Sequence, residues 1–317
     1  MKALFITNLY PPDWCAGARL SMHAVAKKLH DAGHAVRVYA ADMNEDYTYQ
    51  GVQVFSRHAA AAHDDTLETW PNIIFTQLSM SAAAIRIARG RPTFHMVCDD
   101  EPDRAIEKSD RLTNAIIYNS NWLRAKLSYP HASFTVHPPC DISGEPSKRR
   151  YITLINLCDH KGGKLFWALA RKLPQHEFLG VRGAYGKQLI SERDNVEIWP
   201  HGPDIRKVYD QTRILIMPSS YESWGRTARE AMKMSIPVIC TDTRGLRENC
   251  GDAAIYCDKR KPQQWIRAIK SLADPANYER QVWFVQDRIS ATKDIDHELD
   301  MLVRFVENFA WRQSPGL

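Results

Sequence analysis

Short runs of β-branched and aromatic residues alternate with amphipathic helical patterns along almost the whole chain. Such alternation marks βαβ units and parallel sheets. The first run, Ala3-Leu4-Phe5-Ile6-Thr7, leads into a helix whose apolar Met22, Val25, Ala26 and Leu29 recur at i, i+3, i+4 and i+7, and the chain returns in Ala35-Val36-Arg37-Val38-Tyr39. Gly33 stands where that helix should end. Further strands are expected at 52–55, 72–76, 93–97, 115–118 and 134–137. A second series begins at 151–155 and continues through strands at 177–181, 196–199, 213–217, 236–240 and 253–256, with helices near 161–173, 225–234, 261–272, 276–290 and 294–312.

Between the two series, His137-Pro138-Pro139-Cys140-Asp141-Ile142-Ser143-Gly144-Glu145-Pro146 interrupts the alternation and Lys148-Arg149-Arg150 follows. This reads as an interdomain linker. The expected organisation is an α/β domain over 1–140, a linker over 141–150, a second α/β domain over 151–292, and a final helix over 293–317 that packs back toward the first domain. Two open parallel sheets joined in this way place their ligand crevices at the strand C-termini, facing one another across a cleft, as in an enzyme with two substrates.

A length of 317 residues suits two domains at roughly 150 residues each. The 44% hydrophobic and 25% charged composition excludes disordered, collagenous and low-complexity chains. No window reaches the roughly 18 apolar residues of a spanning helix and the N-terminus lacks a signal-peptide pattern, so a cytoplasmic protein is expected. The cysteines, Cys15, Cys98, Cys140, Cys158, Cys240, Cys250 and Cys257, are odd in number and never spaced C-x-x-C, which argues against a disulfide framework or a zinc site. His58 and His63 are five apart and share no helix face, so no metal role is assigned to the stretch 58–65. Charge is uneven: residues 1–145 carry 14 Lys and Arg against 16 Asp and Glu, and the remainder 28 against 21. A basic second half favours an anionic ligand such as a nucleotide diphosphate, although solvated surface charge gives the same imbalance.

Three segments carry candidate chemistry. Pro218-Ser219-Ser220-Tyr221-Glu222-Ser223-Trp224-Gly225-Arg226-Thr227-Ala228-Arg229-Glu230-Ala231-Met232 follows a strand and opens a helix. Glu222, in the loop, can meet a sugar hydroxyl; Gly225 lets backbone N–H groups approach phosphate; and Glu230, about a turn into the helix, can accept from a ribose diol. The bland alternative makes Glu222 a helix cap and Glu230 a solvated carboxylate. Asn156-Leu157-Cys158-Asp159-His160-Lys161-Gly162-Gly163-Lys164 also follows a strand, and Lys161 beside Gly162 offers a point charge and a bare backbone to a diphosphate. Its spacing is not that of a P-loop, which disfavours ATP hydrolysis. Tyr10-Pro11-Pro12-Asp13-Trp14-Cys15-Ala16-Gly17-Ala18-Arg19, after the first strand, is by itself a turn.

In this order the segments resemble the GT-B glycosyltransferases, specifically the retaining family 4 type. The matching features are Pro11-Pro12 with Ala16-Gly17, Gly33-His34-Ala35-Val36, Val136-His137-Pro138-Pro139-Cys140-Asp141, Lys161-Gly162, the block from Glu222 to Glu230-Ala231-Met232, and Ser235-Ile236-Pro237-Val238. The resemblance implies two Rossmann-like domains, a nucleotide diphosphate sugar (UDP- or GDP-sugar) as donor, a hydroxyl acceptor, and no cofactor or metal. By the same resemblance Lys161 and Gly162 meet the donor diphosphate, Gly17 presents its backbone to the donor, Glu222 contacts the transferred sugar, Ser223, Trp224 and Gly225 bind the donor beside it, Glu230 binds the ribose, and residues 197–202 line the base pocket. Catalysis then rests on stabilising the leaving group in a dry cleft.

Three departures from the family pattern matter. The arginine that commonly precedes the Lys-Gly pair by about six residues is replaced by Ile155 and Asn156, and Arg226 is the expected substitute. The first glycine of the Gly-Gly pair is Ala16. The acceptor-side histidine falls on Cys98, so Asp100 or Asp99 is expected to orient or deprotonate the acceptor hydroxyl. Glycans, lipid-linked saccharides and small molecules are candidate acceptors, with a modified base in phage DNA as an alternative. Nucleic acid is disfavoured by the acidic first half, although Arg86, Arg89, Arg91, Arg104, Lys108, Arg111, Arg124 and Lys126 could form a basic track. Peripheral membrane contact stays open. Rival activities are a sugar-nucleotide epimerase or hydrolase, and a non-catalytic sugar-nucleotide-binding protein.

Overall fold

The computed structural model describes residues 1–58, 67–202 and 204–312. Apart from His58, the stretch 58–65 lies outside the described residues. The chain divides into two compact units, Met1–Pro139 with Asp294–Leu317, and Cys140–Lys293.

The first unit is built on eight strands: β1 (Lys2–Thr7), β2 (Ala35–Ala40), β3 (Tyr47–Tyr49), β4 (Val52–Ser56), β5 (Ile73–Gln77), β6 (Thr93–Val97), β7 (Asn114–Tyr118) and β8 (Ala132–Thr135). Their order is β3-β4-β2-β1-β5-β6-β7-β8, parallel except for β3. Central strands are apolar on both faces because helices cover both: β5 and β7 are buried at every position. Phe5 stacks on Phe75 at 4.4 Å and Phe75 on Phe94 at 4.8 Å, a ladder across three adjacent strands.

The helix Gly17–Asp31 buries Met22, Val25, Ala26 and Leu29, the predicted stripe. It ends where Gly33 takes φ +86° and the N–H groups of Gly33 and His34 return to the carbonyls of His30 and Leu29. The helix Glu298–Arg312 lays Leu302, Val306 and Ala310 into the same core, with Phe309 edge-on to Phe94 at 5.2 Å. Glu298 accepts from His137 at both the backbone N–H (2.7 Å) and Nδ1 (2.8 Å).

The second unit holds β9 (Tyr151–Ile155), β10 (Phe178–Val181), β11 (Val196–Trp199), β12 (Thr212–Met217), β13 (Val238–Cys240) and β14 (Ile255–Tyr256), all parallel, in the order β11-β10-β9-β12-β13-β14. Its core is Leu154, Phe166, Leu169, Phe178, Ile216 and Trp265 on one face and Leu215, Met232, Val238 and Leu246 on the other.

Several boundaries differ from the pattern reading. The strand expected at 134–137 is Ala132–Thr135; Val136 still donates to Tyr118, but the His137 N–H goes to Glu298 and Pro138 has none, so the ladder stops. The strand expected from 236 starts at Val238, since the Ile236 N–H caps the preceding helix at Ala231 and Pro237 lacks a donor. A short 3-10 turn, Lys293–His297, occupies the first residues of the helix expected at 294–312. The pattern missed β3, a three-residue partner of β4 joined through Gln50 and Gly51, both at positive φ. It also missed the helices Ser81–Ala88, Arg104–Glu107, Asn121–Leu127, Ile205–Gln211 and Arg244–Cys250, each shorter than the window over which helical periodicity becomes visible.

Candidate functional site

In the second unit β9 leads outward to β10 and β11, while β12 returns on the other side of β9 and leads to β13 and β14. The order reverses between β9 and β12, and at such a switch point the two loops leaving the strand C-termini diverge to leave a ligand crevice. Those loops are the segments around Lys161 and Glu222.

The chain leaves β9 through a 3-10 turn, Asp159–Lys161, and Gly162 at φ +97° breaks it before the helix Gly163–Lys172 begins. Both glycines are required by close approach: a Cβ on Gly162 would lie 2.2 Å from Pro218 Cγ, and one on Gly163 2.1 Å from the Leu157 carbonyl oxygen. The absence of side chains draws the two loops together, and Ser220 N–H donates to the His160 carbonyl at 2.8 Å. Lys161 Nζ then reaches Glu222 Oε1 at 2.5 Å, and Ser219 Oγ donates to the same oxygen at 2.7 Å. The two charged side chains are 17% and 12% exposed. Burial works to lower the pKa of Lys161, but the charge of Glu222, the Tyr185 phenol and the Glu222 hydrogen bond outweigh it, and the ammonium is held above its ordinary value.

Beyond Glu222 the loop turns inward and is buried at Trp224 and Gly225. Trp224, expected to bind the donor, is 1% exposed and lies inside the fold. Gly225 takes φ +86° with its Cβ position 2.6 Å from Leu246 Cδ2, and Gly245 lies so close that a Cβ there would be 2.3 Å from the Glu222 carbonyl oxygen. Ser223 backbone atoms press on the same Gly245 position. The helix Arg226–Lys233 has no side-chain cap, so Glu222 is not its cap. Glu230 is only 5% exposed, not a solvated helix carboxylate: Oε1 accepts from Arg226 Nε at 2.7 Å and Oε2 from the Tyr209 hydroxyl at 2.9 Å. Arg226, expected to stand in for a missing phosphate-binding arginine, is thus ion-paired with Glu230 one helical turn on. Burial, reinforced by the Glu230 charge, drives the Tyr209 phenol well above its usual pKa.

Asn156 occupies the left-handed region at φ +72° and its side chain is tied to Gln188 at 2.9 Å. Gln188 accepts from the Leu157 and Gly183 N–H groups and donates to the Tyr185 and Gly186 carbonyls, which fastens the loop after β10 against the loop after β9. Tyr185 is presented at its tip, 44% exposed, with its ring stacked on His160 at 5.8 Å. Glu197 is taken up by Trp199 Nε1 at 2.5 Å and by the Tyr151 hydroxyl. Pattern reading missed Tyr209 and Gln188; a lone tyrosine and a lone glutamine in irregular stretches carry no motif.

In the first unit the order reverses between β1 and β5. Gly17 opens the helix Gly17–Asp31 with open space where a Cβ would stand, and Ala16 is its buried N-cap residue. The Tyr10-Pro11-Pro12 loop before it is held by Tyr10 to His23 at 2.8 Å and by the Tyr47 hydroxyl to the Pro11 carbonyl at 2.7 Å. After β6, a cavity of about 380 Å³ is lined by Ser79, Cys98, Asp99, Glu101, Asp103 and Tyr129 among others. Burial first, then the neighbouring carboxylates, raises the Asp99 pKa, and burial pushes the Cys98 thiol up to about 12. Asp100 is turned to Lys126. The basic track dissolves in part: Arg89 pairs with Glu68, Lys126 with Asp100, and Arg91 donates to backbone carbonyls. Among the described residues no cluster of three or more His, Cys, Asp or Glu is arranged for a metal ion, and no helix is long and apolar enough to cross a membrane.

Residues 168–274 match the family described as Glycosyl transferases group 1. Curated relatives include a D-inositol 3-phosphate glycosyltransferase of Segniliparus rotundus, 34% identical over 83 residues, or 25% of this chain and 18% of that one. Another is the O-antigen chain mannosyltransferase B of Escherichia coli, 36% identical over 55 residues, 17% of this chain and 14% of the relative. The matches therefore span less than a fifth of either relative's length. Similarity to solved structures is far more extended. Sucrose-phosphate synthase from Thermosynechococcus elongatus superposes with TM-score 0.74 at 16% identity, covering 97% of this chain and 100% of that one. HepE from Anabaena, solved with UDP and glucose, gives TM-score 0.75 at 15% identity over 97% and 99% of the two chains. With both parallel-sheet units matched along nearly all their length and the family sequence running through β10 to β14, this is a chain of the GT-B glycosyltransferase fold that carries the Glycosyl transferases group 1 sequence in its second unit.

Proposed function

We propose that the chain is a retaining glycosyltransferase that moves a sugar from a nucleoside diphosphate sugar to a hydroxyl acceptor without a metal ion. The observation that carries this reading is the Lys161–Glu222 pair, 2.5 Å apart at the switch point of the second sheet. Lys161 meets the diphosphate, and the N–H groups that open the helices at Gly163 and Arg226 add their dipoles as charge builds on the leaving group. Glu222 accepts from a hydroxyl of the transferred sugar. Glu230 keeps lone pairs beyond those used by Arg226 and Tyr209 and accepts from the ribose. Gly17 presents its backbone to the donor, and residues 197–202 frame the base. The bond from the anomeric carbon to the β-phosphate oxygen breaks, a glycosidic bond to the acceptor oxygen forms, and the acceptor proton leaves with Asp99 as its handler. Asp99 lines the cavity after β6, whereas Asp100 is committed to Lys126. A uridine donor is favoured by HepE, solved with UDP-glucose, and by the pneumococcal O-GlcNAc transferase GtfA, solved with UDP and GlcNAc. A polyol or saccharide acceptor fits the names of the curated relatives, and a cytoplasmic site of action fits a nucleotide-sugar donor.

The test is a thermal-shift panel of UDP, GDP and their sugar conjugates on wild type and Lys161→Met, followed by product analysis with saccharide acceptors. A selective shift that is lost in the variant, and an α-linked product from an α-linked donor, are expected. Free sugar or an epimer as the main product in the presence of acceptor would replace this reading with a hydrolase or epimerase. No shift with any nucleotide would remove the donor site itself.

A further inference from the structure

Lys259 follows β14 in the turn Asp258-Lys259-Arg260, a segment no motif singled out. Its Nζ donates to the Asp159 carbonyl at 3.0 Å, to the His160 carbonyl at 3.4 Å and to Ser220 Oγ at 2.8 Å. An ammonium has three N–H donors, and all three are used here on groups from two different loops. Among the described residues Lys259 has no carboxylate within ion-pairing distance, so its charge is spent on backbone dipoles. Asp159 and His160 immediately precede Lys161, and Ser220 is two residues before Glu222.

We infer that Lys259 is a positioning residue: it clamps the loop bearing Lys161 to the loop bearing Glu222 and so sets the distance between those two side chains. The only other direct tie between the described parts of these turns that involves Ser220 is its N–H to the His160 carbonyl. With Lys259 removed, two carbonyls lose a cationic partner and Ser220 Oγ is released, so the Lys161 turn can swing away from Pro218 and Glu222. A neutral side chain of similar length does not replace this, because it lacks the three donors. The consequence for donor binding rests on the function proposed above; the clamp itself does not.

The experiment compares wild type with Lys259→Met. Hydrogen–deuterium exchange without ligand should be about tenfold faster in peptides covering 157–164 and 218–224 and unchanged in the first unit, the size expected for losing charge-assisted bonds. Unchanged exchange in both peptides overturns the inference whatever the protein's substrate is. UDP affinity is then measured for wild type, Lys259→Met, Lys161→Met and the double variant. A clamp acting through Lys161 weakens UDP about tenfold alone and adds little once Lys161 is gone. Equal losses in both backgrounds would make Lys259 a direct phosphate contact and overturn the positioning role. If wild type binds no nucleotide while the exchange difference persists, the donor-site reading fails and the clamp stands.

Discussion

The Lys161–Glu222 pair implies a competition, because a donor diphosphate must take Lys161 away from a carboxylate that already holds it. Replacing Glu222 by Gln keeps the shape and a neutral acceptor for Lys161 while removing the competing charge. An exposed ion pair is worth about 0–1 kcal/mol and breaking a buried one costs about 3–5, and this pair lies between the two limits, so the ammonium is released by about 1–2 kcal/mol. At side-chain exposures of 17% and 12% solvent screens the attraction only in part. UDP should therefore bind Glu222→Gln about 5- to 30-fold more tightly than wild type. The empty protein should lose stability, since burial now opposes the Lys161 charge without its main counterweight. Turnover should fall, because the transferred sugar loses its carboxylate. Calorimetric titration of UDP with thermal unfolding of both forms provides the assay. Weaker UDP binding by Glu222→Gln, at unchanged fold, would refute the competition and place Glu222 on the side of the nucleotide.

Three further outcomes are expected. Removing Glu230 as Leu leaves the Arg226 charge buried without its partner and should cost about 3–5 kcal/mol in urea or thermal unfolding, while Arg226→Met with Glu230→Leu together should cost less than either alone; additive losses would disprove the pair. Gly163→Ala drives a methyl to 2.1 Å from the Leu157 carbonyl oxygen and should destabilise the second unit by about 1–3 kcal/mol and abolish the UDP thermal shift, whereas a neutral effect would show the loop can yield. His95, buried between β5 and β7 with its pKa lowered first by burial, stays neutral in the native chain while the unfolded chain takes a proton near pH 6.5. Its contribution is complete above about pH 6.5 and is lost as pH falls from there through the lower native pKa, at up to about 1.4 kcal/mol per unit, so His95→Gln should show a shallower fall in unfolding temperature between pH 6.5 and 4.5.

What was legible in the sequence divides by distance along the chain. The strand-loop-helix segments at Lys161 and Glu222 were readable because each is local: a strand, small residues that allow backbone approach, then a helix. Gly33, Gly162 and Gly225 likewise report conformations decided within a few residues. The partners that finish the site are not local. Tyr209 meets Glu230 from 21 residues away, Gln188 reaches Asn156 across 32, and Lys259 reaches Asp159 across 100. Each is an ordinary polar residue in a short helix or a turn, and only the parallel order β10-β9-β12-β13-β14 brings it to the strand ends. The same logic explains why Arg226, expected as a cation for the donor, was read without its partners. Its spacing to Glu230 is one helical turn, but that the pair turns inward against Tyr209 depends on the helix Ile205–Gln211, which the periodicity does not disclose. In a fold of this kind the loops that meet the ligand are written locally, and the groups that hold those loops at working distance are placed by the sheet. A search for further functional residues should therefore follow side chains that donate into the loops at the strand C-termini, as Lys259 does, rather than further sequence motifs.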